Sequence, residues 1–468
     1  MKAFSRRDFM KVASLVTGAT VLAACQQAPE PTQEMKQEPE TTSEPPKPVG
    51  GDVTIMIERT ELTEEQEAQF EAKYPGITIT FIQNDGDRRT AMLAAGTAPD
   101  IIRTVAADVP GWLLRNLMLD LTPYFQTSEV LKIDDLAPAN YYYFAEDSLH
   151  IGTGKIYGMV KDWSPLMTLF INTAIFEEAG VPVPNETTVL TYAEIFDMAR
   201  KFTKKEGDRT LHWGFGGGWN DWFIDHAVIQ HIAETKPNQG ANPYVGLLYN
   251  DIFNKINLTA NDPAKECFKY YFELAKEGLA SSPIDPTSSW NGEDFIEGKL
   301  AIALEGYWFQ AMAETDATRG KVKMLPSPRW NASGKRYNYP SATGAVIYSG
   351  TKVPDAAWKV FEWYMGEEPA VDRAKGGWGV PGLISLYPQM PQDTELSQNC
   401  YRVLQEEFKN ADCQSPMPNC PWGSIWFQPI WNRHTEPALT GNITLEEAFK
   451  NIEEEVNTTL GEHFKKYS

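Results

Sequence analysis

Val53-Thr54-Ile55-Met56-Ile57 alternates between apolar and polar positions as a strand does. Thr63-Glu64-Glu65-Gln66 then carries the spacing of a capping box. Phe70 and Tyr74 continue one helical face until Pro75-Gly76 stops it. Residues 77–82 alternate again, residues 88–95 form a helix of small side chains ended by Gly96, and Ile101-Ile102 begins a third strand. Strand, helix, strand, helix, strand predicts a parallel α/β sheet. In such sheets ligands collect beyond the carboxyl ends of the strands. Those ends carry Glu58-Arg59-Thr60, Asn84-Asp85 and Arg103-Thr104.

The pattern changes over residues 155–180. Tyr157-Gly158-Met159-Val160 follows a turn of Gly and Lys, breaks into Asp162-Trp163-Ser164-Pro165, and a second apolar run ends at Asn172. Asn172 or Thr173 can cap the next helix, which Gly180 stops. Two strands flanking a carboxylate, an indole and a proline suit a hinge, with Asp162 and Trp163 facing a ligand. An ordinary strand-loop-strand connection fits the same residues.

Helices are expected over residues 191–203 and 261–278 and at the end of the chain, over residues 445–460 with Ala448, Ile452 and Val456 inward. Leu300 to Leu304 reads as a buried strand, so Glu305-Gly306-Tyr307-Trp308 emerges at its carboxyl end. Residues 341–349 read as a returning strand, with a helix from Ala356-Ala357-Trp358.

The N-terminus reads as an address. Ser5-Arg6-Arg7-Asp8-Phe9-Met10-Lys11 matches the twin-arginine export pattern, residues 12–24 are too short a run to span a bilayer unaided, and Leu22-Ala23-Ala24-Cys25 matches a bacterial lipobox. Residues 1–24 are thus expected to be removed and Cys25 lipidated. Residues 25–50, rich in Pro, Glu, Thr and Gln, are expected to be a disordered tether.

The formal charge is −21; residues 1–24 contribute +3, which leaves −24 on the mature chain. An acidic body disfavours nucleic acid and anionic lipid. Besides Cys25 there are Cys267, Cys400, Cys413 and Cys420. One bridge is expected among the last three, with Cys413 and Cys420 in one loop the foremost pair, and Cys267 is expected to be a buried thiol. No CxxC spacing supports a zinc site.

Tyr157, Gly158, Asn172, Phe176, Ala179, Gly180 and Pro182 match a pattern of the extracellular solute-binding proteins of ABC importers. The chain resembles their carbohydrate-binding, maltose-binding-protein-like branch, although that branch usually has Pro where this chain has Val160. Residues 95–101 and, most specifically, 295–308 carry further segments of the pattern, so the resemblance runs from Gly51 to about Leu460. It implies an α/β fold of two lobes, the type II-like periplasmic-binding-protein fold, with discontinuous lobes joined by hinge strands. The expected segments are residues 51–160 and 331–385 in lobe 1, and 161–330 and 386–468 in lobe 2. It implies a sugar ligand, permease subunits as partners, a monomer tethered to the membrane by its N-terminal lipid, and no cofactor.

Flat indole rings stack on sugar C–H faces, and carboxylates, amides and guanidinium groups bond the hydroxyls. More than half of the Trp side chains are expected in the core. Those beside Gly or polar residues in loops are the candidates: Trp163, Trp219 with Asn220, Trp308 with Glu305, and Trp378. The resemblance adds Trp422 and Trp426, and Arg59 and Asp162 complete the expected ligand set.

Enzyme signatures are wanting: the chain has no GxSxG, Walker A or HExxH motif. Ser349-Gly350-Thr351-Lys352 fits SxxK without its companion motifs, and His226 and His231 are spaced off one helical face, against a metal pair. Two alternatives stand: the same scaffold binding a polyol, sugar phosphate or polyamine, and an exported glycoside hydrolase using two of its many carboxylates.

Overall fold

The computed structural model describes residues 49–207, 209–216, 230–231, 234, 249–250, 254–287, 290–331, 337–338, 340–410, 413–414 and 423–467. All elements below belong to one unit, Gly50–Ser468. In chain order its main strands are β1 (Gly51–Ile57), β2 (Ile77–Gln83), β3 (Ile101–Val105), β4 (Gly158–Pro165), β5 (Thr168–Asn172), β6 (Lys204–Glu206), β7 (Arg209–Gly216), β8 (Leu300–Glu305), β9 (Val322–Leu325), β10 (Pro340–Ile347) and β11 (Val380–Pro381). The longer helices are α1 (Glu64–Lys73), α2 (Gly86–Ala95), α3 (Tyr192–Phe202), α4 (Asp262–Lys276), α5 (Pro354–Gly366), α6 (Glu368–Gly376), α7 (Glu395–Asn410), α8 (Gly423–Leu439) and α9 (Leu445–Tyr467).

Helix starts follow the capping chemistry of the sequence. Thr63 and Gln66 form the capping box of α1, and Thr191 and Glu194 form another at α3. Asn261 caps α4 through the N–H of Ala264, and Ala448, Ile452 and Val456 of α9 are buried as their spacing requires.

Six strands form one sheet in the order β11-β4-β10-β3-β1-β2, and five form another in the order β9-β5-β8-β7-β6. β1 pairs parallel with β2 and β3, as the alternating pattern predicts, whereas β10 runs antiparallel to both β3 and β4. α5 packs Ala356, Ala357, Val360 and Phe361 into the core of the first sheet with Val53, Ile55 and Ile101. A larger apolar cluster joins Val160 and Trp163 of the first sheet to Phe170, Ala303 and Leu304 of the second.

The chain passes from the first sheet to the second between β4 and β5, at the buried pair Leu166 and Met167. This corrects the expected break: Asp162-Trp163-Ser164-Pro165 belongs to β4 and pairs with β10 and β11. Polar residues persist inside this buried strand because Lys161 and Asp162 neutralise each other. Pro165 sits at the strand's last position, where its missing N–H costs least.

Two further expectations are adjusted. Trp163 lies in a strand rather than a loop and is buried, as are Trp213 in a strand and Trp112 and Trp431 in helices, because each ring fills a layer between elements. Cys400 is a free, buried thiol on α7, outside the expected bridge, and Cys267 is buried on α4 as expected. The Cys413 side chain, Cys420, Cys25 and His226 lie outside the described residues. No described helix is long and apolar enough to cross a membrane, and no described group of His, Cys, Asp and Glu could hold a metal ion.

Candidate functional site

β4 and β8 end side by side. Thr168, just after the crossing, donates its hydroxyl to the Glu305 carbonyl at 2.5 Å. The next residue, Gly306, touches β4: a Cβ there would stand 2.4 Å from Ser164 Oγ and 2.8 Å from Trp308 Cδ1. Glycine is therefore what lets the two sheets approach at this point. From the other side comes the turn between α6 and β11. A Cβ on Gly379 would stand 2.9 Å from Asp162 Cβ, and one on Gly377 would stand 3.2 Å from the Gln310 amide carbon. The ends of β4 and β8 and this turn thus converge on one spot, where α/β sheets receive ligands.

Aromatic surface is concentrated there. Trp308 stacks on Trp290 with ring centroids 5.8 Å apart and planes 23° from parallel. Trp308 is partly buried and Trp290 is 38 % exposed. Trp378 lies partly buried in the α6–β11 turn. Trp163, 4 % exposed, packs against Phe408 of α7 at 5.2 Å.

Polar atoms meet there too. The Tyr307 hydroxyl pairs with Gln310 and the Tyr387 hydroxyl with Trp163, both in poor hydrogen-bond geometry, while Glu305 Oε1 is buried and makes no hydrogen bond with the described residues. Buried polar groups are almost always satisfied, so the Glu305 carboxyl marks a place for water or ligand. Glu305 is 2 % exposed, and burial pushes its carboxyl well above the usual carboxylate range.

Asp162 is supported differently. Its carboxylate accepts from Thr343 Oγ1 at 2.6 Å and pairs with Lys161. Lys161 Nζ also lies 2.9 Å from Glu61 Oε1, which receives Arg103 Nε at 3.0 Å, and the Tyr364 hydroxyl donates to Glu61 Oε2 at 3.2 Å. Burial pushes the Glu61 carboxyl up, but Lys161 and Arg103 overcome it and hold it at about 2. Asp162 is thereby a fixed acceptor paired with Lys161, whereas Glu305 has no described cation.

Of the expected ligand set, the fold brings Asp162, Trp163, Glu305, Trp308 and Trp378 together. Arg59 stands at the end of β1 as foreseen, but its guanidinium lies 3.3 Å from the Phe81 ring centroid, bonds the Leu62 carbonyl at 3.1 Å and pairs with Glu67. It is thus pinned to its own neighbourhood. Trp219, Asn220 and Trp422 lie outside the described residues, as does the side chain of Trp426 on α8. Sequence reasoning missed Trp290, Tyr307, Gln310 and Tyr387. Trp290 had one available signal, the Asn291-Gly292 pair after it: its ring lies across Gly292, 2.1 Å from where a Cβ would be.

No curated protein matches the chain at the significance required. Solved structures do match in fold. An ABC substrate-binding protein of Listeria monocytogenes in complex with cycloalternan aligns with a TM-score of 0.69 at 19% identity, covering 88% of this chain and 99% of that one. A solute-binding protein of Thermotoga lettingae bound with α-D-tagatose gives 0.67 at 20% identity over 88% and 100%, and one of Agrobacterium vitis with bound D-mannitol gives 0.66 at 18% identity over 89% and 98%. The fold is the two-lobe α/β fold of these proteins. A family model for bacterial extracellular solute-binding proteins matches residues 56–371. With that match spanning most of the chain, the protein belongs to the bacterial extracellular solute-binding protein family.

Proposed function

We propose that this protein captures a sugar or a sugar-derived polyol between its two lobes and delivers it to an ABC importer. The observation that carries the reading is the Trp290–Trp308 stack standing where β4 and β8 converge, beside the unpartnered Glu305 Oε1 and the polar groups of Trp163, Tyr307, Gln310 and Tyr387. Rings supply the apolar face that a sugar's C–H groups need, and these donors and acceptors supply partners for its hydroxyls. The carbohydrates and polyol held by the structures of like fold support the same class of ligand.

The lobe that holds the first sheet takes residues 51–165 and the return through β10 and β11, the crossing lying at Leu166 and Met167 rather than after residue 160, and the second sheet belongs to the other lobe. A ligand that touches both biases the open and closed forms by its difference in affinity for them, and the closed form docks on the permease. The protein works as a monomer without catalysis, and hydrolysis belongs to the ATPase of the importer. Twin arginines, the apolar run and the lipobox support a position on the outer face of the cytoplasmic membrane, held by lipidated Cys25.

The test is a thermal-shift screen followed by calorimetry with maltose, mannobiose, D-tagatose, D-mannitol and cycloalternan. A ligand that binds only the folded form raises the midpoint. Binding of one of these, recovered chemically intact, supports the reading. Failure of all five to bind, or cleavage of a bound one that is lost on changing a single carboxylate of the site, overturns it.

A further inference from the structure

Glu305 stands apart from the other buried carboxylates. Glu61 is held by Arg103, Lys161 and Tyr364, and Asp162 by Lys161 and Thr343. Glu362 takes Ser128 Oγ at 2.6 Å and Lys359 Nζ at 2.5 Å, and Glu407 takes the N–H and hydroxyl of Ser327. Glu305 is more buried than all of these but Glu407, yet its Oε1 is orphaned and no described Lys, Arg or His pairs with it. It occupies the last position of β8, with Gly306 against Ser164 and Trp308 directly after it.

A charged carboxylate left in this position carries the full cost of desolvation with nothing to offset it. Two occupants can relieve that cost. A ligand ammonium supplies the missing charge. A ligand hydroxyl instead meets a protonated carboxyl, which donates through its O–H and accepts through its C=O. The surroundings favour the second: Glu305 is buried at the end of β8 with no described cation beside it, and burial acts toward its neutral form, so the site suits a neutral group.

Resting on the proposed function, we infer that Glu305 is the specificity-determining residue of the site, bonding a hydroxyl of an uncharged carbohydrate and selecting it over amino sugars and sugar acids. An amino sugar placed there must strip the proton from Glu305 and lose its own hydration. A sugar acid must give up the hydration of its carboxylate in a site where no described cation stands beside Glu305 to balance the charge. A hydroxyl needs neither change. Glutamine reproduces the two faces of a protonated glutamic acid, one donor and one acceptor at nearly the same positions; alanine reproduces neither.

The experiment measures affinity by calorimetry for wild type, Glu305→Gln and Glu305→Ala. The probes are maltose, mannobiose, D-tagatose, D-mannitol and cycloalternan, with D-glucosamine and D-glucuronate as charged probes. We expect at least one neutral probe to bind, Glu305→Ala to weaken it about tenfold or more, and Glu305→Gln to recover affinity to within about threefold of wild type. Both charged probes should bind more weakly than the best neutral one. If Glu305→Ala binds as wild type does, or if Glu305→Gln binds as poorly as Glu305→Ala, the inference falls while the proposed function stands. A tighter grip on glucosamine or glucuronate than on every neutral probe also overturns it. If Glu305→Ala fails to fold, the glutamine variant and the charged probes still decide. If no neutral probe binds, both readings fall together.

Discussion

Lys161 Nζ lies 2.9 Å from Glu61 Oε1, a contact that ties β4 to the turn after β1 across the first sheet. It has a consequence for acid stability. The Glu61 carboxyl sits at about 2 in the folded protein against an ordinary 4.5. A depressed carboxyl contributes stability that is complete above its unfolded value and is lost as pH falls through its folded one. The contribution, of the order of 3 kcal/mol, should therefore be present at neutral pH and disappear between about pH 4.5 and pH 2. Urea midpoints across that window should fall steeply in wild type and less steeply in Lys161→Met. A Lys161→Met protein with the wild-type acid profile would show that Lys161 does not hold Glu61 down.

Trp308→Ala should cost roughly 1–3 kcal/mol of sugar affinity, or about one to two decades in dissociation constant. The ring is partly buried against the core, so the ligand-free melting midpoint should fall as well, and the affinity loss is read on protein that remains folded. Trp290→Ala should lose less affinity, since its ring is the more exposed of the two. Calorimetry and ligand-free melts on the same preparations separate the effects. A Trp308→Ala protein that is stable and binds as wild type does would remove this ring from the site.

Gly379 has φ +139°, and a Cβ there would meet Asp162 Cβ at 2.9 Å. Gly379→Ala should cost about 1–3 kcal/mol through strain and crowding together, and should displace Asp162 enough to weaken binding. Gly441→Ala is the comparison: φ is also positive, at 78°, but nothing lies within 4 Å of the added carbon. It should lower the melting midpoint slightly and leave affinity alone. Equal effects of the two changes on binding would argue against a packed Gly379–Asp162 contact.

Cys267 and Cys400 are fully buried, and burial pushes both thiols well above their usual range. The thiolate is the reactive form, so both should resist alkylation in the native protein and react once it unfolds. Peptide mapping after brief iodoacetamide treatment checks this. Native labelling of Cys400 at the rate of a free peptide thiol would mean that α7 opens readily.

Much of the fold is legible in the residues because local chemistry dictates it. The Thr63 and Thr191 capping boxes and the alternation in β1 and β2 operate within a few positions of the chain. β4 was harder to read, because its polar residues are satisfied by partners far away in sequence: Lys161 by Glu61, Asp162 by Thr343. Nothing within the segment announces either partner, so a paired strand looks like a break. The site was legible in the same proportion. Glu305 and Trp308 follow from the end of a recognisable strand, whereas Gln310 and Tyr387 enter it through the packing of the α6–β11 turn and the short helix Ile384–Gln389.

Two indoles held 5.8 Å apart and 23° from parallel are near enough for their excited states to mix. Their near-ultraviolet circular dichroism should then carry a signature of the pair rather than of either ring. Any occupant that shifts Trp308 by a fraction of that spacing changes the coupling and with it the spectrum. The protein thus contains its own optical gauge of occupancy, readable without a label.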